Sequence, residues 1–185
     1  MKNLELSEQS NQSGAGKRIV SIVIPTKNGI EYIDEVLRSI FDQKISWELE
    51  VLIIDSGSSD GTIEVLKKYP VKIICIDSSS FNHGTTRTMG ALKASGDVVV
   101  FMNQDATFVD QYSLSRLVIA MEGEDVVAAY ARHVPRENHN PLRKREIEKT
   151  FPKNSSLLSG KELHVSLLSN LKKRRVCQFN TVCGV

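Results

Sequence analysis

Two carboxylates stand at the ends of apolar runs, where an unpaired charge costs free energy. Asp55 directly follows the run Leu49–Ile54, and Asp105 lies three residues after Val98–Met102. A carboxylate at such a position can accept a hydrogen bond from the ring N–H of a planar base, or it can bind a divalent cation. Mg²⁺ needs only one or two protein carboxylates when phosphate oxygens complete its shell. Asp55 is therefore a candidate for base recognition, and Asp105 is a candidate metal ligand.

Both carboxylates also have structural interpretations that the sequence leaves open. The segment Asp55–Gly61 fits a helix N-terminus in which Ser58 or Asp60 is the cap, because small polar residues accept hydrogen bonds from the first helical N–H groups. Asp55 lies too far upstream to cap that helix, so we expect it to have another role. Asp105 fits a cap of the turn that leads into Tyr112.

A third candidate is an arginine at the start of a predicted helix. The loop Phe81–Gly84 leads into this helix, and Arg87 follows in its first turn. A guanidinium offers a planar fork of N–H donors that suits a phosphate or a sugar hydroxyl. We interpret the neighbouring His83 as a hydrogen-bonded structural residue and not as a catalytic base.

An alternation of strands and helices must position these residues. Short β-branched runs predict strands at Ile19–Ile24, Leu49–Ile54, Val71–Ile76, Asp97–Met102 and Val126–Ala131. Helical periodicity predicts helices at Gly29–Gln43, Thr62–Tyr69, Thr85–Ala94 and Tyr112–Met121. This order is typical of an α/β fold with a mostly parallel sheet and helices on both faces. Ligands bind at the carboxyl ends of such strands, where the polar loops of this sequence converge.

Composition excludes several classes of protein. The chain has 185 residues, of which 41% are hydrophobic and 25% charged, as expected for a soluble globular domain. It contains neither an apolar run long enough to span a membrane nor a recognisable signal peptide, so we predict a cytoplasmic location. Its three cysteines lack CxxC spacing, which argues against both a disulfide framework and a zinc site.

The formal net charge of +2 hides a strong asymmetry. Residues 1–125 carry 12 basic and 18 acidic side chains, whereas residues 126–185 carry 12 basic and 4 acidic ones. We predict a disordered polar tail at 1–17, a ligand-binding core at 18–131 and a basic segment at 132–185. The basic residues within 132–175 suit contact with an anionic acceptor or with the inner face of a membrane, or they form a solvated face. Few aromatics accompany them, which argues against nucleic-acid binding.

Four segments occur in an order and spacing that resemble a known enzyme family. They are SIVIPTKN, VLIIDSGSSDGT, FNHGTTRTMGA and VVVFMNQDAT, and together they are similar to the inverting GT-A glycosyltransferases of family 2, bacterial rhamnosyltransferase-like branch. The resemblance is dense over Ile19–Asp110, and Phe179–Val185 resembles the start of the family's acceptor-side segment. It implies a GT-A, Rossmann-like fold. It also implies inverting transfer of rhamnose or another hexose from a dTDP- or UDP-sugar to a polysaccharide or lipid-linked acceptor.

The resemblance assigns roles to nine residues. The residues implied to bind the nucleotide are Pro25, Thr26, Asn28, Asp55, Ser56 and Gly57. Those implied to hold the donor sugar or diphosphate are Arg87 and Gln104, and the one implied to hold Mg²⁺ or Mn²⁺ is Asp105.

The sequence departs from the family pattern at three places. Asn103 stands where the general DxD motif has its first carboxylate, and Thr88 replaces an asparagine. The family's general base belongs to a downstream acidic motif, and no Asp or Glu follows Phe179, so no base is assigned. We therefore expect a donor-binding half whose acceptor half is incomplete, and the alternative is an inert nucleotide-sugar-binding module. A nucleotidyltransferase is disfavoured because no glycine-rich triphosphate loop follows the first strand.

Overall fold

The β-branched run at the start of the core forms a central strand, β1 (Ile19–Thr26). We describe the fold from a computed structural model, which describes residues 18–122, 126, 128–136, 140–150 and 175–179. The other strands are β2 (Glu48–Asp55), β3 (Lys72–Cys75), β4 (Val98–Met102), β5 (Ala128–Tyr130) and β6 (Arg175–Phe179). The helices are α1 (Ile33–Phe41), α2 (Thr62–Leu66), α3 (His83–Lys93), α4 (Ser113–Ala120) and α5 (Pro141–Thr150).

The strands form one sheet in the order β3-β2-β1-β4-β6-β5, and all of its strand pairings are parallel. This confirms the predicted α/β class with a parallel sheet. The chain runs outward from β1 through β2 to β3 and then returns to place β4 on the other side of β1. The direction of winding therefore reverses between β1 and β4, which is the place where open α/β sheets bind ligands.

Helices cover both faces of the sheet, as predicted. One face shares its core with α1, α2 and α4 through residues such as Leu37, Leu66 and Leu114. On the other face, Ala91 of α3 packs with residues of β1, β2 and β4. Gly90 permits this close approach, because a Cβ atom at that position would lie 2.4 Å from Cγ1 of Val23.

Two helices begin more than one residue away from the predicted start. Helix α1 begins at Ile33 and not at Gly29, and the N–H groups of Gly29 and Ile30 donate to the side chains of Thr62 at the start of α2 and of Asp60 in the loop before it. Helix α3 begins two residues early, at His83, because the Asn82 side chain accepts hydrogen bonds from the first N–H groups of the helix.

Two elements carried no clear periodic signal. Helix α5 lies in the basic stretch, and its start has a recognisable pattern: Pro141 occupies the first helical position and the Asn140 side chain accepts from N of Arg143 at 2.8 Å. Strand β6 lies between β4 and β5 and pairs with both. The predicted tail at 1–17 and the end of the acceptor-side segment, 180–185, lie outside the described residues.

Within the part of the chain that the structure describes, no helix combines the length and the apolarity needed to cross a membrane.

Candidate functional site

Asp55 ends β2 beside Thr26, its register partner at the end of β1. The carboxylate is buried, and its Oδ2 accepts hydrogen bonds from N of Gly57 (3.0 Å) and N of Ser58 (2.9 Å). Oδ1 accepts from Oγ1 of Thr26 (3.2 Å) and from the Ser58 hydroxyl. These four donors fill the roughly four acceptor positions of a carboxylate. Asp55 therefore has the role that the sequence left open: it holds the turn after β2.

The loops that follow β1 and β2 are joined by hydrogen bonds. N of Asn28 donates to Oγ of Ser58 (2.8 Å), and Oδ1 of Asn28 accepts from N of Ser59 (2.9 Å). Asn28 adopts a left-handed backbone conformation with φ 48°, which asparagine tolerates better than most residues. Ser56 donates its hydroxyl to the carbonyl oxygen of Thr26 (3.1 Å). The two loops thus form one surface at the carboxyl end of the sheet.

The loop after β4 contacts this surface at the point between β1 and β4 where the direction of winding reverses. Oε1 of Gln104 accepts from N of Lys27 (2.8 Å), and Nε2 of Gln104 donates to the Lys27 carbonyl oxygen (3.2 Å). A Cβ atom at Gly29 would lie 2.9 Å from Oε1 of Gln104, so glycine there makes room for the bridge. The Gln104 amide therefore joins two loops. Pro25 is half-buried and lies beyond Val23, the last β1 residue that pairs with β4.

Arg87 projects from α3 to the loop after β4. Its Nη2 donates to Oδ1 of Asn103 (2.8 Å), while its Nε is buried and has no hydrogen-bond partner among the described residues. Burial lowers the pKa of the guanidinium, which still remains charged near neutral pH. Among the described residues, no carboxylate pairs with Arg87. A buried N–H without a protein acceptor is uncommon in folded proteins, so Arg87 is a candidate for contact with an anionic ligand.

Asp105 is half-buried in the same loop, two residues after Asn103. Its carbonyl oxygen accepts from Nη2 of Arg136 (2.9 Å), and Nη1 of Arg136 pairs with Glu35 of α1 (3.0 Å). The turn into α4 is held by a different carboxylate, Asp110. Its Oδ1 accepts a hydrogen bond from N of Tyr112, the residue before α4, at 2.8 Å. The capping role considered for Asp105 thus belongs to Asp110.

The described residues contain no group of three or more His, Cys, Asp or Glu side chains that could hold a metal ion. A lone Asp105 still fits a Mg²⁺ or Mn²⁺ site of the kind completed by diphosphate oxygens and water. Such a site binds its metal together with the nucleotide, because one carboxylate supplies too few ligands by itself.

Sequence reasoning did not nominate Lys27, although its position directly after β1 could have revealed it. Its Nζ donates to Oγ of Ser78 (2.6 Å) in the turn after β3. Hydrogen bonds from Ser79, assisted by the Lys27 charge, lower the pKa of Asp77. Lys27 and Arg87 are two cations near the reversal point. We call the loop residues 26–30, 55–60 and 103–105, together with Arg87, the carboxyl edge.

Comparison with known proteins finds glycosyltransferases among the relatives of this chain. A family model described as glycosyl transferase family 2 matches residues 21–179. The O-antigen chain rhamnosyltransferase RfbN of Salmonella typhimurium is 34% identical over 125 residues, which cover 66% of this chain and 40% of that protein. The chain thus spans well under half the length of this relative.

Two solved structures share the fold. The S. aureus TarS 1-349 complex with UDP-GlcNAc matches with a TM-score of 0.56 at 23% identity, covering 66% of this chain and 36% of that one. A Mycobacterium tuberculosis glucosyl-3-phosphoglycerate synthase, in complex with Mn²⁺, UDP and phosphoglyceric acid, matches with a TM-score of 0.54 at 20% identity. This second match covers 88% of this chain and 68% of the other. Both likenesses support the GT-A architecture predicted from the sequence.

Proposed function

Because the chain belongs to glycosyl transferase family 2, we propose that its carboxyl edge binds a nucleotide-sugar donor and supports transfer of the sugar with inversion. The observation that carries the proposal is Arg87, a half-buried cation with an unpartnered Nε at the reversal point of the sheet. A diphosphate supplies both the charge and the acceptor oxygens that this guanidinium lacks.

The donor we propose is a dTDP- or UDP-sugar, with rhamnose or another hexose as the sugar. The similarity to the rhamnosyltransferase RfbN supports rhamnose. Asp55 lies buried between Thr26 and its own turn, and in this proposal a ring N–H of the base reaches it by displacing one of its two hydroxyl donors, Thr26 or Ser58. Pro25, Thr26, Asn28, Ser56 and Gly57 form the surrounding wall in this proposal.

Asp105 is the residue that we propose to hold Mg²⁺ or Mn²⁺. When bound, the divalent ion stabilises the negative charge that develops on the leaving nucleoside diphosphate. Arg87, which contacts Asn103 in the same loop, shares this electrostatic role in the proposal. Gln104 keeps the loop of Asp105 against β1 through its two bonds with Lys27 and thereby positions the carboxylate.

The acceptor we propose is a polysaccharide or a lipid-linked glycan, and the basic residues of 132–175 are where its anionic groups approach. Arg136 is already engaged with Glu35 and the Asp105 loop, so the exposed Arg145 and Lys149 of α5 are better placed for this contact. The cytoplasmic location and the peripheral membrane contact stay predictions.

An inert donor-binding module is the second candidate. The observation that favours it is Asn103, an amide where the general DxD motif of the family has its first carboxylate. Incubation with dTDP-rhamnose and Mn²⁺ separates the two candidates. Metal-dependent release of dTDP supports turnover, whereas binding without release supports the module.

Calorimetric titration tests the proposed donor site directly. We expect dTDP or UDP to bind in the presence of Mn²⁺, and Asp105→Ala to abolish the effect of Mn²⁺ on affinity. Asp110→Ala is the matched control, because Asp110 is an exposed carboxylate in the turn before α4 and lies outside the carboxyl edge. Failure of the unsubstituted protein to bind any nucleoside diphosphate in Mn²⁺ overturns the proposal.

A further inference from the structure

The contact between Arg87 and Asn103 pairs a cation with a neutral group. Arg87 lies on α3 and Asn103 follows β4, and the Nη2–Oδ1 distance is 2.8 Å. An amide oxygen accepts this hydrogen bond and so orients the guanidinium, but it leaves the positive charge uncompensated.

This arrangement is unfavourable in the absence of a ligand. The guanidinium is half-buried, its Nε donor lacks an acceptor, and within the described ranges no carboxylate lies within ion-pair distance. Burial without a countercharge costs free energy, and a folded protein keeps such a group where a ligand relieves the cost. A carboxylate at position 103 would remove this free-energy cost by forming a bidentate ion pair with Arg87.

We propose that Asn103 is a positioning residue that fixes the Arg87 guanidinium without neutralising it, so that its full charge and its Nε–H serve a diphosphate. This inference rests on the proposed function and adds to it a reason for an uncharged side chain at this position. The consequence is that part of the diphosphate affinity comes from Arg87 alone and persists without a divalent metal.

The experiment measures binding of UDP and of inorganic pyrophosphate in EDTA, for the unsubstituted protein and for Asn103→Asp and Asn103→Ala. We expect Asn103→Asp to weaken both ligands about tenfold, because the new carboxylate competes for Arg87. We expect Asn103→Ala to weaken them about threefold, because the guanidinium keeps its charge but loses its orientation. Uridine, which has no phosphate, should bind all three proteins equally.

The matched control is Asn82→Asp, which adds the same charge at the N-cap of the same helix. Aspartate caps as well as asparagine does, so the helix is preserved. We expect this variant to weaken pyrophosphate less than about twofold, since its carboxylate is bound to the N–H groups of Gly84 and Thr85.

Several outcomes overturn the inference while leaving the donor site intact. The first is that Asn103→Asp and the unsubstituted protein bind with equal affinity. The second is that Asn82→Asp weakens binding as much as Asn103→Asp does. The third is that Asn103→Ala leaves the affinity unchanged. Tighter binding of UDP by Asn103→Asp in Mn²⁺ also overturns it, because position 103 would then belong to the metal site. If the unsubstituted protein binds UDP neither in EDTA nor in Mn²⁺, the proposed function fails as well.

Discussion

The two ends of the same sheet each carry a polar cluster, and the clusters differ in how fully their groups are satisfied. At the amino end lies the Glu50 cluster, which comprises Ser21, Glu50, Lys72, Ser95 and Gly96. Glu50 accepts from Nζ of Lys72 (2.6 Å), from N of Ser95 (2.8 Å) and from the Ser21 hydroxyl, whose oxygen accepts in turn from N of Gly96 (2.9 Å). At the carboxyl edge, Arg87 faces a neutral amide and keeps an unpartnered Nε.

The comparison teaches that a buried charge alone does not mark a functional site. Burial raises the pKa of Glu50, but hydrogen bonds from Lys72, Ser21 and Ser95 outweigh it and lower that pKa to about 2. The charge is thus favoured by partners within the fold, which is the mark of a structural group. Arg87 lacks such partners among the described residues, so it is the group that a ligand completes.

The largest effect should come from breaking the Glu50 cluster. A pKa lowered from 4.5 to about 2 corresponds to roughly 3 kcal/mol of stability at neutral pH. We expect Glu50→Ala to lower the free energy of unfolding in urea by about that amount while UDP affinity changes less than about twofold. Glu48→Ala, at an exposed position of the same strand, is the control. A loss of affinity in Glu50→Ala that matches its loss of stability would erase the distinction between the two ends.

The same cluster predicts a pH dependence with a definite sign. The pKa of Glu50 is lower in the folded chain than its ordinary value of 4.5, so the folded state binds fewer protons between these two values. The stabilisation is therefore present above pH 4.5 and is lost as the pH falls toward 2. Urea unfolding at a series of pH values should show this fall, and Glu50→Gln should flatten it. An equally steep fall in Glu50→Gln would assign the acid sensitivity to other carboxylates.

Truncation of Arg87 should lower ligand affinity and leave stability nearly unchanged, which is the reverse of the effect expected for Glu50→Ala. We expect Arg87→Ala to weaken UDP binding about 10- to 100-fold, since charged hydrogen bonds to the diphosphate are lost. Its stability should change by less than about 1 kcal/mol, because the side chain has an unsatisfied donor in the free protein. Lys93→Ala, an exposed cation on the same helix, should leave the affinity unchanged. Unaltered affinity in Arg87→Ala would remove the observation on which the site rests.

The smallest effect concerns the loop surface of the carboxyl edge. Asn28 has φ 48° and bonds N of Ser59 through Oδ1. Both Asn28→Gly and Asn28→Ala lose that bond, but only alanine opposes the left-handed conformation. We expect alanine to destabilise the fold by about 1 kcal/mol more than glycine does in urea unfolding. Equal destabilisation would mean that the loop relaxes to another conformation.

The first four strands, and the polar loops that follow them at the carboxyl edge, were predictable from the sequence because both depend on local pattern. Runs such as Leu49–Ile54 are short and apolar, and polar residues follow each of them. The contact between Arg87 and Asn103 was not predictable, because it depends on which side of β1 receives β4. Strand β6 was missed for the same reason: its neighbours are set by the return of the chain and not by its own composition. The turn bonds of Asp55 are local and could have been found from its small polar neighbours.

Amide hydrogen exchange with and without UDP and Mn²⁺ reports on both ends of the sheet in one measurement, so it shows whether ligand binds at the carboxyl edge or at the Glu50 cluster. We expect slower exchange at 26–30, 55–60 and 103–105 and no change at residues 48–50 and 95–97. Protection confined to the Glu50 cluster, or binding that leaves the carboxyl edge unaltered, would contradict this expectation.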